Sequence, residues 1–439
     1  MTTASNRYRL WQHDVKPPKK SDQTVIAKVR PAAAPAKPAR MAMSAGARTA
    51  QTVGLSAESN LASLVDNGHV SSITNVFDEG PGGGGGRAMF VSGVGDRRAS
   101  SARAPRLVEL KPAKGESAAR LAAHLARMKD VEYAFVPPVR RLFARRRKAT
   151  SGPDPLDGRL WGHGAIRLGH ARTAAGFNDA SSITVAVIDS GIDAAHPDLK
   201  DCIVEYKNMR GGSDKDFVGH GTHVAGIIAA RTNNGFGISG VSSARILALK
   251  VLPRDGEEFD APTYYRALRY VIGRAQVLNL SLGGEKDPAE IDVMRDVIAA
   301  GVVVVAAMGN EFEDGNPVEY PAAIADVCAV GASDQLDHRA AFSNTGRHID
   351  LVAPGVSILS TTPTYKYDDG ERNFDAWDGT SMATPHVAGA AALLLATSPE
   401  LTPAQVIRQL KSSADRVQGA KKGSASYGAG RLNVEKLLR

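Results

Sequence analysis

Three short motifs of this chain carry the side chains that hydrolytic chemistry needs. VAVIDSG contains Asp189, GHGTHVAG contains His220 and His223, and GTSMATPHVAG contains Ser381. A serine hydroxyl is a weak nucleophile, so it needs a base, and the base needs a group that orients it. An aspartate, a histidine and a serine can fill these three roles. The motifs therefore indicate acyl transfer by an activated serine.

The residues around Ser381 predict a helix that begins at the nucleophile. A turn of small residues precedes an apolar run over residues 387–395, which is typical of a buried helix. The first backbone N–H groups of a helix have no partner within the helix, and its dipole favours negative charge there. This is a suitable mount for a group that attacks a carbonyl.

The elements that must position these side chains alternate between strand and helix. Apolar runs predict buried strands at residues 183–188, 246–252, 277–282, 302–307 and 327–331. Helical patterns cover residues 222–230, 263–274, 288–300, 380–397 and 403–413. This alternation predicts an α/β fold with a doubly wound, mostly parallel sheet, in which ligands bind at the carboxyl ends of the strands. Asp189 ends one predicted strand, and Asn310 follows another.

Charge is distributed unevenly along the chain. Residues 1–150 carry 26 Lys and Arg against 11 Asp and Glu, whereas residues 151–439 carry 28 against 35. Because the basic excess belongs to the N-terminal part, the whole protein is not predicted to bind nucleic acid. No run of 18 apolar residues predicts a membrane span. No secretory leader is visible, so we expect a cytoplasmic rather than a secreted protein.

Composition predicts three regions. Residues 1–105 are rich in Ala, Pro, Gly and Ser, which predicts a low-complexity, largely disordered segment. Residues 106–150 show a strand, helix, strand pattern and then a basic linker, and residues 151–439 carry the three motifs. Cys202 and Cys328 cannot form a disulfide framework; one bridge and two buried thiols are the alternatives.

Asp, His and Ser in this order, within these three motifs, resemble the subtilase family of serine peptidases, from about residue 157 to the C-terminus. The resemblance implies a subtilisin-type fold that hydrolyses peptide bonds. Ser381 would attack the carbonyl, His220 would act as the base, and Asp189 would orient His220. Asn310 would donate to the oxyanion together with the Ser381 N–H. The rival hypothesis is a catalytically idle binding protein with the same fold.

Residues 106–144 resemble the inhibitory prodomain of the family, which implies an autoprocessed zymogen. The partners of the protein would be polypeptide substrates and its own prodomain, and the processed enzyme would be a monomer. An unrelated small α+β module is the alternative. The linker contains the basic run RRRK over residues 145–148, and exposed linkers are the easiest sites to cut. We therefore expect cleavage between about residues 143 and 157.

The resemblance also implies two stretches that bind substrate as added strands. One contains Ser281, Leu282 and Gly283. The other contains Gly256 and Glu258, where acidic residues replace the small residues of well-known relatives.

The residue before Tyr320-Pro321 lies at the bottom of the specificity pocket by the same resemblance. This residue is Glu319, which predicts a preference for Arg or Lys before the cleaved bond. The alternatives are that Glu319 faces solvent or pairs with an internal cation.

Calcium is the cofactor that the resemblance implies. Its ligands would come from Asp198, Asn234, Phe236 and Ile238, as carboxylate, amide and carbonyl oxygens. The alternative is an Asn-Gly turn without metal. The remaining histidines of the motifs, His196, His223 and His386, are expected to be packed and hydrogen-bonded rather than catalytic.

Overall fold

The computed structural model describes residues 23–29, 64, 70–76, 106–129, 131–138, 140–142, 145–147, 156–253, 259–368, 370–421 and 423–439. Contacts between Cα atoms divide the described chain into a smaller unit that ends at Pro137 and a larger unit that begins at Pro138. No helix within these ranges is long and apolar enough to cross a membrane.

The smaller unit is a four-stranded antiparallel sheet with one helix. Its elements are β1 (Val25–Val29), β2 (Val70–Asn75), β3 (Arg106–Pro112), α1 (Ala118–Leu125) and β4 (Val131–Phe135). The strand order is β2-β3-β1-β4. The apolar face of α1 packs on the sheet, with Leu121 and Leu125 against Val108 and Leu110. The sequence predicts β3, α1 and β4.

The strands β1 and β2 lie within residues 1–105, where the composition predicted little structure. A five-residue apolar segment, VIAKV, forms β1 because it is paired on both sides, with β3 and with β4. Both pairings join residues that are far apart in the chain, so local composition does not reveal them. Of residues 1–105, the structure describes 23–29, 64 and 70–76, and all others lie outside the described residues.

The larger unit contains the remaining strands and helices. The strands are β5 (Arg140–Leu142), β6 (Arg145–Arg147), β7 (Thr184–Asp189), β8 (Ile203–Asn208), β9 (Arg245–Lys250), β10 (Val277–Leu280), β11 (Leu282–Gly284), β12 (Val303–Ala307), β13 (Cys328–Ser333), β14 (Leu351–Pro354), β15 (Ile358–Thr362) and β16 (Asn373–Asp378). The helices are α2 (Trp161–Ala165), α3 (Leu168–Arg172), α4 (His220–Ala229), α5 (Ala261–Val271), α6 (Pro288–Ala299), α7 (Thr380–Thr397), α8 (Pro403–Ser413) and α9 (Val434–Leu437), with short 3₁₀ turns at Leu156–Arg159 and Phe312–Asp314.

Seven strands of this unit form a parallel sheet in the order β14-β13-β12-β10-β7-β9-β8. The five strands predicted from the apolar runs all belong to it. Such runs form strands buried on both faces, and every residue of β10, β12 and β13 is buried. The doubly wound α/β prediction is confirmed.

Helix boundaries follow capping chemistry. Thr402 accepts from the Gln405 N–H in a capping box, and Pro403 is the first helical residue, as the sequence predicts for α8. Asp287 caps α6 by accepting from the N–H groups of Ala289 and Glu290. The helix α5 ends at Val271, earlier than the predicted residue 274, because Gly273 has a φ of 73°.

Two small antiparallel sheets lie outside the parallel one. In the first, β5 pairs with β11, with Leu142 opposite Leu282 in the backbone register. In the second, β6 pairs with β16, with Arg145 opposite Asp378 in the register. The chain around residues 140–147 therefore pairs with two different strands of its own unit.

Candidate active site

The fold brings the three motifs together at helix and strand ends. Asp189 is the last residue of β7, and His220 is the first residue of α4. Ser381 is the second residue of α7, after Gly379, whose φ of 156° no side chain adopts easily. The prediction that Ser381 begins a buried helix therefore agrees with α7.

Asp189 and His220 are in direct contact. His220 Nδ1 lies 2.8 Å from Asp189 Oδ1 and 2.9 Å from Oδ2, and both residues are only 1% exposed. An ionised carboxylate only accepts hydrogen bonds, so Nδ1 is the donor, and in the neutral imidazole Nε2 then has the lone pair. Among the described residues His220 Nε2 has no hydrogen-bond partner. This histidine is oriented as a base.

The Ser381 hydroxyl is held by the neighbouring strand. It donates to the carbonyl of Ser281 at 3.0 Å, and the Ser281 hydroxyl donates back to the Ser381 carbonyl at 2.9 Å. This reciprocal pair ties the start of α7 to the segment that the sequence predicts to bind substrate. Catalytic hydrogen bonds commonly form only when substrate is bound, so the bond to Ser281 is compatible with a nucleophile at rest.

Asn310 follows β12 and is tied to the residue before the nucleophile. Its Oδ1 accepts from both the N–H and the hydroxyl of Thr380, each at 3.0 Å. Because the oxygen is fixed in this way, the amide NH₂ points to the other side. Asn310 is 6% exposed. The side chain is therefore a fixed donor close to Ser381.

The edge of β11 pairs with the protein's own chain. Leu142, Arg141 and Arg140 of β5 lie opposite Leu282, Gly283 and Gly284. The sequence predicts that Ser281, Leu282 and Gly283 accept an added strand, and β5 shows that this edge forms backbone pairs with an extended segment. The second predicted stretch, with Gly256 and Glu258, lies outside the described residues.

Glu319 is buried beside this strand. It is 8% exposed and precedes the Tyr320-Pro321 peptide bond, which is cis. Tyr320 exchanges backbone hydrogen bonds with Gly284 at 2.9 and 3.0 Å. A Cβ on Gly309 would lie 2.8 Å from Glu319 Cγ, so this side chain packs against the residue before Asn310. Glu319 therefore does not face solvent, which removes one of the two alternatives.

The Asp198 loop is closed by protein hydrogen bonds. Asp198 Oδ1 accepts from Asn234 Nδ2 at 2.7 Å, and Oδ2 accepts from the Ile238 N–H at 3.0 Å. Asn234 Oδ1 accepts from the Phe236 N–H. A Cβ on Gly237 would lie 2.0 Å from Asp198 Oδ2, so the loop backbone wraps closely around the carboxylate. Within the described ranges no group of three or more His, Cys, Asp or Glu is arranged to hold a metal.

The other histidines of the motifs are packed and hydrogen-bonded, as expected. His223 stacks on Trp377 at 4.7 Å and contacts the Asp375 carbonyl, and burial lowers its pKa to about 3. Burial also lowers the pKa of His386 to about 4. His196 Nε2 lies 3.0 Å from the Asn373 carbonyl.

Two further findings concern side chains whose role the sequence left open or missed. Cys202 and Cys328 are both free thiols, so no bridge joins them.

Trp377 was not predicted as a site residue, although its ring lies 6.3 Å from the ring of His220. The sequence did not predict the strand β16 that contains Trp377, so nothing in it indicated that this ring lies near His220.

Comparisons with known proteins agree with this geometry. The model of the subtilase family matches residues 180–430. Subtilisin amylosacchariticus from Bacillus subtilis subsp. amylosacchariticus is 42% identical over 269 residues, which cover 58% of this chain and 65% of that protein. Subtilisin from Bacillus pumilus is also 42% identical over 269 residues, which cover 90% of that protein.

Among solved structures, fervidolysin from Fervidobacterium pennivorans, a keratinolytic enzyme related to subtilisin, matches with a TM-score of 0.65 and 26% identity. The match covers 76% of this chain and 56% of that chain. The chain thus spans somewhat less than two thirds of the length of subtilisin amylosacchariticus and about half that of fervidolysin.

Proposed function

This chain belongs to the subtilase family, and we propose that it is a serine endopeptidase made as a zymogen. The observation that carries the proposal is the contact between His220 Nδ1 and Asp189, which leaves Nε2 without a hydrogen-bond partner among the described residues and available as a base. A fold alone does not imply an activity, whereas this geometry suits the removal of a proton from Ser381.

The residues divide the reaction as follows. Ser381 Oγ attacks the carbonyl carbon while His220 Nε2 takes its proton and later gives it to the leaving amine. Asp189 keeps the Nδ1 proton in place and stabilises the imidazolium. Asn310 and the Ser381 N–H donate to the oxyanion that forms in the transition state.

A fluorophosphonate probe tests the proposed function directly. We expect one covalent label on Ser381 in the processed protein, and none after denaturation. A folded, processed protein that takes no label would favour the catalytically idle binding protein instead.

The pairing of residues 140–147 supports self-processing and narrows the site. β5 lies on the substrate edge of β11, and β6 pairs with β16 immediately before Gly379 and the nucleophile. Because β5 and β6 pair with strands on either side of the nucleophile, we propose that the cleaved bond lies between Leu142 and Arg145. This proposed position is close to the beginning of the range expected from the sequence, about residues 143 to 157.

This placement has a consequence for the basic run. Arg145–Arg147 then lies on the leaving-group side of the bond, so it is not the sequence that enters the specificity pocket. A bond that is held within the same chain has a high effective molarity, about 10⁵ M or more in well-oriented cases. Self-cleavage therefore does not require a preferred residue in the pocket.

For other substrates we propose a preference for Arg or Lys before the cleaved bond. The support is the burial of Glu319 between β11 and the turn that carries Asn310. A buried carboxylate is costly, and an incoming cation interacts with it more strongly than it would in water.

Peptides that differ only at this position check the preference. We expect the ratio of kcat/KM for Arg over Phe to exceed one, and to fall at least tenfold in Glu319→Gln. Glu313→Gln is the matched control, because Glu313 is an exposed glutamate of the same loop. A native enzyme that favours Phe, or an Arg preference that survives in Glu319→Gln, would contradict the assignment.

We also propose that Asp198 and the loop around it hold calcium. The donors would be the Asp198 carboxylate, the Asn234 amide oxygen and the carbonyls of Phe236 and Ile238, a set of hard oxygens that suits Ca²⁺. The close wrapping of the loop backbone around the Asp198 carboxylate fits such a site. The Asn234 amide would have to turn its oxygen towards the ion, since its nitrogen now donates to Asp198. The ion would stabilise the folded loop.

Thermal unfolding with and without a chelator checks the calcium proposal. A ligand that binds only the folded state at 100 times its Kd stabilises it by about 2.7 kcal/mol, so the chelator should lower Tm by several degrees. In Asp198→Asn the chelator should have little effect, whereas the exposed control Asp201→Asn should respond like the wild type. Identical melting curves with and without chelator would exclude the site.

A further inference from the structure

Ser190 follows Asp189, and every polar group of this residue is hydrogen-bonded. Its N–H donates to Asp189 Oδ1 at 2.7 Å, and its carbonyl accepts from Lys250 Nζ at 2.5 Å. Its hydroxyl donates to Asp216 Oδ1 at 2.8 Å and accepts from the Gly221 N–H at 3.0 Å. The hydroxyl therefore bridges the residue after Asp189 to the residue after His220.

Asp216 holds the other end of this bridge. Its carboxylate accepts from the N–H groups of Gly219 and Thr222 and from the Thr222 hydroxyl, at 2.8, 3.0 and 2.6 Å. These groups belong to the start of α4, where a negative charge is favourable. Asp216 is fully buried, and a buried carboxylate is stable only with such a set of donors.

Lys250 fixes Ser190 from the opposite side. It ends β9, which pairs with β7 next to Asp189, and its ammonium is buried. Burial lowers the pKa of Lys250, and the carboxylates of Asp216 and Asp189 oppose this effect. The buried ammonium therefore donates to the Ser190 carbonyl within the electrostatic field of both carboxylates.

The backbone is closely packed where the turn after β7 meets the start of α4. A Cβ on Gly221 would lie 2.1 Å from the Gly191 carbonyl oxygen, so the turn after β7 and the start of α4 are in direct contact. The Ser190 hydroxyl bonds to the second of these turns, so loss of this bond would change how Asp189 lies against His220.

We propose that Ser190 is a positioning residue, which Asp216 and Lys250 hold so that Asp189 stays aligned with His220. This role rests on the proposed function. It predicts that loss of the hydroxyl slows the chemical step without weakening substrate binding, because Ser190 does not touch the substrate edge.

Kinetics of Ser190→Ala test the role against a matched control. We expect kcat to fall about ten- to a hundredfold with KM changed less than twofold, as for a small misplacement of a catalytic group. Ser242→Ala is the control, because Ser242 is also buried and its hydroxyl also donates to Ile228 O and accepts from Ala244 N. Ser242 lies beyond the other end of α4, so the loss of its hydroxyl should lower the stability of the protein without lowering kcat.

A second variant keeps the test decisive if Ser190→Ala folds poorly. Asp216→Asn keeps the size of the side chain but cannot accept all its hydrogen bonds, and its effect on kcat should not add to that of Ser190→Ala. The far-downfield proton resonance of the His220 Nδ1–Asp189 bond should shift or broaden in both variants and stay unchanged in Ser242→Ala.

A Ser190→Ala protein with wild-type kcat and an unchanged resonance would overturn the positioning role alone. So would equal losses of kcat in Ser190→Ala and Ser242→Ala. A wild-type protein that hydrolyses no peptide would instead contradict the proposed function, and the resonance would still report on the alignment of Asp189 with His220.

Discussion

Replacing Ser381 by alanine is expected to abolish peptide hydrolysis and to leave the chain uncut between Leu142 and Arg145. The hydroxyl is the proposed nucleophile for both reactions. The first substrate would be the protein's own chain, whose strands β5 and β6 pair with β11 and β16. Loss of the nucleophile costs about 10⁶-fold in kcat in subtilisin. Intact mass after expression in a protease-deficient host measures the processing.

Ser413→Ala is the control for this experiment, because Ser413 is a buried serine at the far end of α8. It should be cut as completely as the wild type. If Ser381→Ala is cut at the same bond to the same extent, another protease performs the processing. Cleavage of Ser381→Ala only after wild-type enzyme is added would show that the bond is accessible between molecules.

Asn310→Asp is expected to lower kcat about 10²–10³-fold with little change in KM. The aspartate keeps an oxygen that can accept from the Thr380 N–H and hydroxyl, so the local structure is preserved. The aspartate lacks the NH₂ donor, and it adds a negative charge where the oxyanion forms. Both changes act on the transition state rather than on the bound substrate, and steady-state kinetics with one peptide separate the two constants.

Asn316→Asp is the matched control, since Asn316 lies in the loop after Asn310 and its amide bonds to Thr345. It should change kcat less than twofold. A similar loss in both variants would mean that the loop, and not the donor, is responsible. A rise in KM with unchanged kcat in Asn310→Asp would assign the side chain to substrate binding.

The sequence predicts the parts of the site that short motifs determine. Asp189, His220, Ser381 and Asn310 each follow or begin a strongly apolar element, so their places at strand and helix ends can be read locally. The helix over residues 380–397 has the predicted bounds. The prediction for α4 begins two residues late, because His220 and Gly221 have weak helical preference and the helix starts there through the hydrogen bonds of Asp216.

The features that the sequence misses depend on contacts between distant residues. β1 forms only because β3 and β4 pair with it. Ser190 and Asp216 are 26 positions apart, and nothing near either one indicates that they are hydrogen-bonded. The sequence shows the basic run only as part of a linker, whereas the register of β6 on β16 supports the proposal that this run lies on the leaving-group side of the cleaved bond.

The helix α7 is buried from Thr380 to Leu395, although it also carries the nucleophile. Amide protons that are bonded within the buried part of such a helix exchange with solvent only when the whole domain opens. Hydrogen exchange should therefore find the backbone amides of residues 387–395 among the slowest of the chain. Heat would then remove activity and fold in a single step, with no folded but inactive species in between.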